Sequence, residues 1–162
     1  MLAQLFTALA LSACFAGALP TTPRDVSANT EACAAVHIMS ARGSNQAAGE
    51  GSTLAPVATA LAALFTGATR EAIVWPAKII PYDTNSAQGT QAVTRQLTAY
   101  VKRCPNSKIV MLGYSQGAHV IGDSLCGGGG VAGIGPVTPP IAREIGNHGT
   151  FQSLQSVLLD HR

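Results

Sequence analysis

Charge and aromatic rings are scarce in this chain. Of its 162 residues, 11% are charged and 5% aromatic, with a single tryptophan, and the formal net charge is +2. No cluster of Lys and Arg occurs and no aromatic stripe interleaves with basic residues, so neither nucleic acid nor a strongly acidic partner is implied. No row of acidic or aromatic side chains suggests a sugar platform; Trp75 precedes Pro76 and reads as core or rim packing. After the first residues, no apolar run is long enough to span a bilayer. The histidines and cysteines lack metal-ligand spacing. No internal repeat is visible. The expectations are therefore no metal, no cofactor, no nucleic acid and no membrane. What remains is an Ala-, Gly-, Thr- and Ser-rich composition suited to a compact secreted protein.

Residues 1–18 read as a secretory signal peptide, with an apolar core at Leu5–Leu11 and small residues at Ala16-Gly17-Ala18, although a basic n-region is missing. The run is too short for an anchor and is broken by Ser12, Gly17 and Pro20. Residues 19–30 read as a flexible lead-in or pro-segment, and the expected location is extracellular. Cysteines stand at 14, 33, 104 and 126. If Cys14 leaves with the leader, three remain, an odd number that implies either a free thiol or a missing partner. Cys33 precedes the first expected strand and Cys104 the third. Neighbouring parallel strands would bring those starts together, so Cys33–Cys104 is the natural disulfide and Cys126 the orphan.

The apolar pattern alternates between strand and helix. Ala34–Met39 reads as a buried strand. A helix follows from a Ser52 cap to Leu64, with Leu54, Val57, Ala58, Leu61 and Leu64 on one face. Glu71–Trp75 is a second strand, a helix from Thr84 or Ser86 runs to about Lys102, and Lys108–Leu112 is the third strand. Such β-α-β-α-β-α order predicts an open, mostly parallel sheet with its site beyond the carboxyl ends of the strands. Ser156–Leu159 could begin a fourth strand.

The most informative stretch is Gly113-Tyr114-Ser115-Gln116-Gly117, placed between the third strand and a helix through about Leu125. This strand–turn–helix context is that of a nucleophile elbow, where a Cβ at either flanking glycine would clash. Ser115 is the expected nucleophile. An oxyanion hole needs the N–H of the next residue, Gln116, and a second donor from the loop after an early strand. Ser44, in Ala41-Arg42-Gly43-Ser44-Asn45, can offer both N–H and hydroxyl. Such donors are worth about 3–4 kcal/mol of transition-state stabilisation.

His37–Ser44 with Gly49-Glu50-Gly51, then Trp75-Pro76-Ala77, Cys104-Pro105 and Gly113–Ala118, together resemble the cutinase and acetylxylan esterase family (carbohydrate esterase family 5). The resemblance runs from Cys33 to about Ile145. It implies a small lidless α/β-hydrolase, a three-layer α-β-α sandwich around a parallel sheet, over residues 31–145. It also implies Ser115 as nucleophile, Ser44 and Gln116 as oxyanion hole, the Cys33–Cys104 disulfide, and neither metal nor cofactor. The expected substrate is an ester-bearing plant polymer, cutin or acetylated xylan, attacked by a monomeric secreted serine esterase.

The family's later Asp and His segments find no match here. Asp123, Glu144 and Asp160 are the acids after Ser115, and His119, His148 and His161 the histidines. His119 and Asp123 read as helix residues, His148 as a loop residue, and Asp160-His161 as an irregular end. Residues 146–162 are expected to be a divergent tail. The C-terminal strands would then be missing and an apolar sheet edge exposed near Lys108–Leu112. These signs suggest a truncated form, with a catalytically dead, polymer-binding homologue as the competing reading and a thioesterase or lipase as a third. Gly128–Gly133 formally matches G-x-G-x-x-G but follows a helix, so a dinucleotide site is not expected. His37, inside a strand, is expected to be satisfied in place.

Overall fold

The computed structural model describes residues 33–154. The expected leader, the lead-in and the Asp160-His161 pair lie outside the described residues. The elements are β1 (Val36–Ala41), α1 (Leu54–Leu64), β2 (Thr69–Ala72), α2 (Tyr82–Arg103), β3 (Lys108–Tyr114), α3 (Gln116–Cys126), α4 (Arg143–Gly146) and β4 (Gly149–Leu154). The four strands form one parallel sheet in the order β2-β1-β3-β4.

A parallel sheet must be covered on both faces, and two apolar clusters do this. On one face Ile38 and Leu112 meet Leu54 and Ala58 of α1, with Val57 and Leu61 packed alongside. On the other, Met39, Ile109 and Met111 meet Val93 and Leu97 of α2 and Val120 and Ile121 of α3. The result is a three-layer sandwich. The chain leaves β1 toward β2 and then returns to the opposite side of β1 to lay down β3. The carboxyl ends of β1 and β3 therefore flank a topological switch point, where a crevice opens in sheets of this kind.

Several local expectations shift for identifiable reasons. Ser52 does not cap α1; the hydroxyls of Ser52 and Thr53 accept hydrogen bonds from Gln46 Nε2 at 3.1 and 3.0 Å. Leu64 is exposed, because the buried stripe of α1 ends at Leu61 and Ala62. Strand β2 begins and ends earlier than expected, in register with His37–Ser40, and Trp75 instead packs in the core of the α2 face. Helix α2 starts at Tyr82 because the Pro81 carbonyl accepts both Asn85 N and Asn85 Nδ2, closing the first turn early.

Two larger expectations are corrected. The region after residue 146 is not irregular throughout: Gly149–Leu154 forms β4, paired with Ile109–Tyr114. The stretch Ser156–Leu159 lies outside the described residues, and β3 is an interior strand rather than an exposed edge. Sequence periodicity missed β4 because Gly149, Thr150, Gln152 and Ser153 are not apolar. Cys126 is disulfide-bonded and is not an orphan. The Cys33–Cys104 disulfide forms as expected, across a sequence separation of 71 residues. His37 is buried but satisfied only in part: it stacks on Tyr100 at 3.7 Å and its Nδ1 meets Thr69 Oγ1 at 2.7 Å, while its Nε2, 3.6 Å from Glu71, makes no hydrogen bond among the described residues.

Candidate active site

Ser115 stands at the junction of β3 and α3 with φ 52° and ψ −120°, a backbone conformation that side-chain-bearing residues rarely adopt. The flanking glycines make the turn possible. A Cβ on Gly113 would lie 2.6 Å from Ala118 Cα, and one on Gly117 would lie 1.9 Å from the Ala41 carbonyl oxygen. The second contact also positions the site, since the missing Cβ lets α3 press against the end of β1. Ala41 and Gly113 are register partners, so the two strand ends lie side by side.

Ser44, in the loop after β1, meets the start of α3 through its side chain. Its Oγ donates to Gln116 Oε1 at 2.8 Å. The buried Gln116 amide continues to the Lys78 carbonyl at 3.3 Å and Ser86 Oγ at 3.2 Å. The N–H groups of Ala118 and His119 both go to the Ser115 carbonyl. Among the described residues, no acceptor is found for the N–H of Ser44 or of Gln116. The N–H of Gln116 thus stands unspent directly after Ser115 at the N-terminus of α3, whose partial positive charge favours an anion.

The loops that frame the site are tied by buried polar groups. Arg42 is buried among carbonyls: its Nη2 donates to Trp75 O at 2.6 Å and Pro76 O at 3.2 Å, and its Nε to Gln46 O at 3.2 Å. Burial pulls its guanidinium below the usual arginine value. Asn45 N donates to Ala77 O at 2.6 Å, and Asn45 Oδ1 accepts from Ile79 N at 3.3 Å. Behind the sheet edge, Glu50 pairs with Arg70 and accepts from Ser40 Oγ.

The candidate acids and bases are distributed differently. His119 Nε2 lies 3.0 Å from Asp123 Oδ2, and its Nδ1 lies 3.2 Å from the Tyr82 hydroxyl, on which the imidazole stacks. Both ring nitrogens are therefore engaged. Burial pushes the Tyr82 phenol up, partly offset by Ser86, and the negative charge of Asp123 adds to the rise. His119 and Asp123 are helix residues, as expected, and both are half-buried, joined in a chain of contacts with Tyr82. His148 is excluded as base, because its carbonyl accepts from Ile109 N at the amino end of β3, the opposite end of the strand from Ser115. Glu144 is exposed on α4. Among the described residues, no histidine is hydrogen-bonded to Ser115 Oγ and no group of three or more His, Cys, Asp or Glu could hold a metal.

The glycine-rich stretch closes on itself. Gly128 bridges Thr138, and Gly130 N donates to Gly135 O at 2.8 Å, so these N–H groups do not face a phosphate. An open groove of about 650 Å³ separates this loop from Asp83, Thr84, Gln88 and Gln91 of α2; neither Ser44 nor Ser115 lines it.

The structure brings Ser44 together with Gln116, next to Ser115 in the chain. The sequence did not mark the Gln116 side chain, Arg42 or Tyr82, whose bonds to Ser86, Trp75 and His119 span 30 or more residues, so no local pattern shows them.

Comparison with known proteins agrees with this geometry. Residues 32–157 match the family described as Cutinase. Over 106 residues the chain is 39% identical to Cutinase 11 of Verticillium dahliae, covering 61% of this chain and 36% of that protein. It is 38% identical over 104 residues to Acetylxylan esterase 2 of Talaromyces purpureogenus, covering 60% of this chain and 44% of that protein. The catalytic core domain of acetyl xylan esterase from Trichoderma reesei superposes with a TM-score of 0.66 at 27% identity, over 76% of this chain and 63% of that one. The chain thus spans less than half the length of these curated relatives.

Proposed function

The chain belongs to the cutinase family, and from that premise we propose that it is a secreted serine esterase acting on ester bonds of plant polymers. Ser115 attacks the ester carbonyl, the oxyanion is held by the N–H groups of Ser44 and Gln116, and the acyl-enzyme is hydrolysed by water. The observation that carries this reading is Ser115 at φ 52° on the strand–helix elbow, followed by the unspent N–H of Gln116, whose side chain meets Ser44. That backbone strain is stored where a hydroxyl must stand clear of the sheet. The disulfide supports an oxidising, extracellular setting.

Between the two substrate classes, the rim favours the apolar one. Lys78, whose carbonyl holds Gln116, is followed by Ile79 and Ile80, which are exposed. Exposed aliphatic side chains on the segment tied to Gln116 suit a cutin-like acyl chain better than an acetylated sugar, and acetylxylan is the alternative. A second reading, a polymer-binding protein without turnover, draws on the lack of a histidine bonded to Ser115 among the described residues. A fluorophosphonate probe separates the two. Labelling that disappears in Ser115→Ala is the expected result; folded protein that stays unlabelled would refute the esterase reading. Rates on p-nitrophenyl butyrate and acetate then rank the substrate classes.

A further inference from the structure

We propose that His37, Glu71 and Tyr100 form an acid-closed clasp at the edge of the sheet: a proton taken up by His37 ties β2 to β1 and α2, and its loss as pH rises through neutrality leaves β2 loosely held. The clasp is independent of turnover at Ser115. His37 lies on β1 and is 3% exposed. Its pocket offers an oxygen to each ring nitrogen and a π face to the ring. Nδ1 is 2.7 Å from Thr69 Oγ1, Nε2 is 3.6 Å from Glu71 Oε2, and the ring stacks on Tyr100 with centroids 3.7 Å apart. Thr69 and Glu71 belong to β2 and Tyr100 to α2. A neutral imidazole carries one N–H and one lone pair. With the hydrogen on Nδ1, the lone pair of Nε2 is turned toward a carboxylate. With the hydrogen on Nε2, that N–H is buried and lacks a partner among the described residues. Only the imidazolium turns a donor toward both oxygens. Its charge also attracts the Glu71 carboxylate at a distance where a neutral hydrogen bond has failed, and it favours the face of Tyr100.

The groups around the ring decide whether a charge is tolerated there. Burial opposes it, and so does the Arg103 guanidinium, 5.0 Å from the Tyr100 ring. From β3, the register partner Ile109 brings no charge, and His148 meets Ile109 through its backbone carbonyl. Glu71 is the carboxylate that both cations face. Burial raises it, but its neighbours hold it below its ordinary value, and Gln96 Nε2 fixes it by donating to Oε1 at 3.2 Å and to the Ala72 carbonyl at 3.0 Å. It is therefore ionised over the acid range in which a histidine gains its proton. Among the described residues β2 has one strand neighbour, so the clasp acts on a lightly held strand. The chain runs on from β2 to the Trp75 and Pro76 carbonyls that hold Arg42 and the Lys78 carbonyl that holds Gln116. Loosening β2 thus reaches the frame around Ser115. A group that holds its proton more firmly when folded stabilises below its unfolded value and loses that contribution as pH rises. The clasp is strongest above the lowered Glu71 value, which lies below 4.5, and below about pH 6.5, where an unperturbed histidine loses its charge.

His37→Gln tests this, because it keeps a polar side chain at the site but removes the titration. The parent, His37→Gln, Glu71→Gln and the double variant would be unfolded by denaturant at about pH 5.5 and about pH 8, one on each side of the histidine range. The coupling between the two positions is then read from the four unfolding equilibrium constants at each pH. The expected coupling is roughly 10-fold larger at the acid pH. A purely structural role for the ring would give the same coupling at both. Equal couplings, or a larger one at about pH 8, would overturn the inference. If a variant does not fold, amide exchange of the parent decides. Protection of the β2 amides relative to those of β3, corrected for the intrinsic pH dependence of exchange, should be several-fold higher at the acid pH. A ratio that is unchanged, or that falls in acid, would equally overturn it.

Discussion

Replacing Gly117 with alanine puts the elbow geometry to its sharpest test. The new Cβ would lie 1.9 Å from Ala41 O, 2.5 Å from Ala41 C and 2.6 Å from Arg42 O. None of these is a flexible tip. All are backbone atoms at or just past the end of β1, an interior strand, and Arg42 is further held by the Gln46 carbonyl of its own loop and the Trp75 carbonyl of another. Since real Cβ contacts do not fall below 3.0 Å, α3 and the end of β1 must separate by roughly 1 Å. Overpacking of this kind costs about 1–3 kcal/mol, which lowers the melting temperature by about 5–10 °C in a domain of this size. The same displacement carries the Gln116 N–H away from Ser44, and a misplacement of about 1 Å costs on the order of 100-fold in rate. Gly122→Ala is the matched control. It lies on the same helix with nothing within 4 Å of its added Cβ, so it should stabilise by about 0.5–1 kcal/mol. Thermal unfolding and phosphonylation rates of both variants would be measured. A Gly117→Ala protein with parental melting and parental labelling would refute the claim that this glycine docks α3 against β1.

Other expected outcomes concern the scaffold and the rim. Replacing Cys33 and Cys104 together by serine opens a loop of 71 residues and should cost about 4 kcal/mol on the chain-entropy account, read from denaturant unfolding. Arg42→Met would strip partners from the buried carbonyls of Trp75 and Pro76 and should destabilise by about 2–3 kcal/mol; an unchanged midpoint would show that water replaces the guanidinium. Burial raises the Glu71 carboxyl, but the close contact with His37, a hydrogen bond from Gln96 and the charges of His37 and Arg103 outweigh it, leaving Glu71 below its ordinary 4.5. A lowered carboxylate stabilises above its unfolded value and loses that contribution as pH falls through its folded one. The parent should therefore melt above Glu71→Gln at neutral pH, with the gap closing below about pH 4.5; a gap that widens in acid would reverse the sign. Ile80→Ser, at an exposed position, should leave stability within about 0.5 kcal/mol while reducing the preference for butyrate over acetate esters.

Much of the architecture was legible in the chain because it is written in local signals. Alternating apolar runs and helical stripes announce β-α-β-α-β, and the G-x-S-x-G glycines report a turn that a Cβ would forbid. The positions of Cys33 and Cys104 before neighbouring strands foretold their disulfide. Strand β4 was not legible, since Thr150, Gln152 and Ser153 resemble loop residues and the pairing with β3 is made through the backbone, which leaves no periodic trace in sequence. Cys126 looked orphaned because counting cysteines cannot show which of them meet.

By itself the sequence determined the fold class and the elbow that carries Ser115, because strand periodicity and the steric demands of an elbow act over a few residues. The tertiary structure decided what surrounds that serine. It put Ser44 and Gln116 in contact across 72 residues, turned His119 into a partner of Tyr82 and Asp123, and carried His148 to the far end of β3. These outcomes depend on where helices dock on a sheet, a balance of buried area and hydrogen-bond satisfaction summed over the whole core, and no short stretch of the chain encodes that sum.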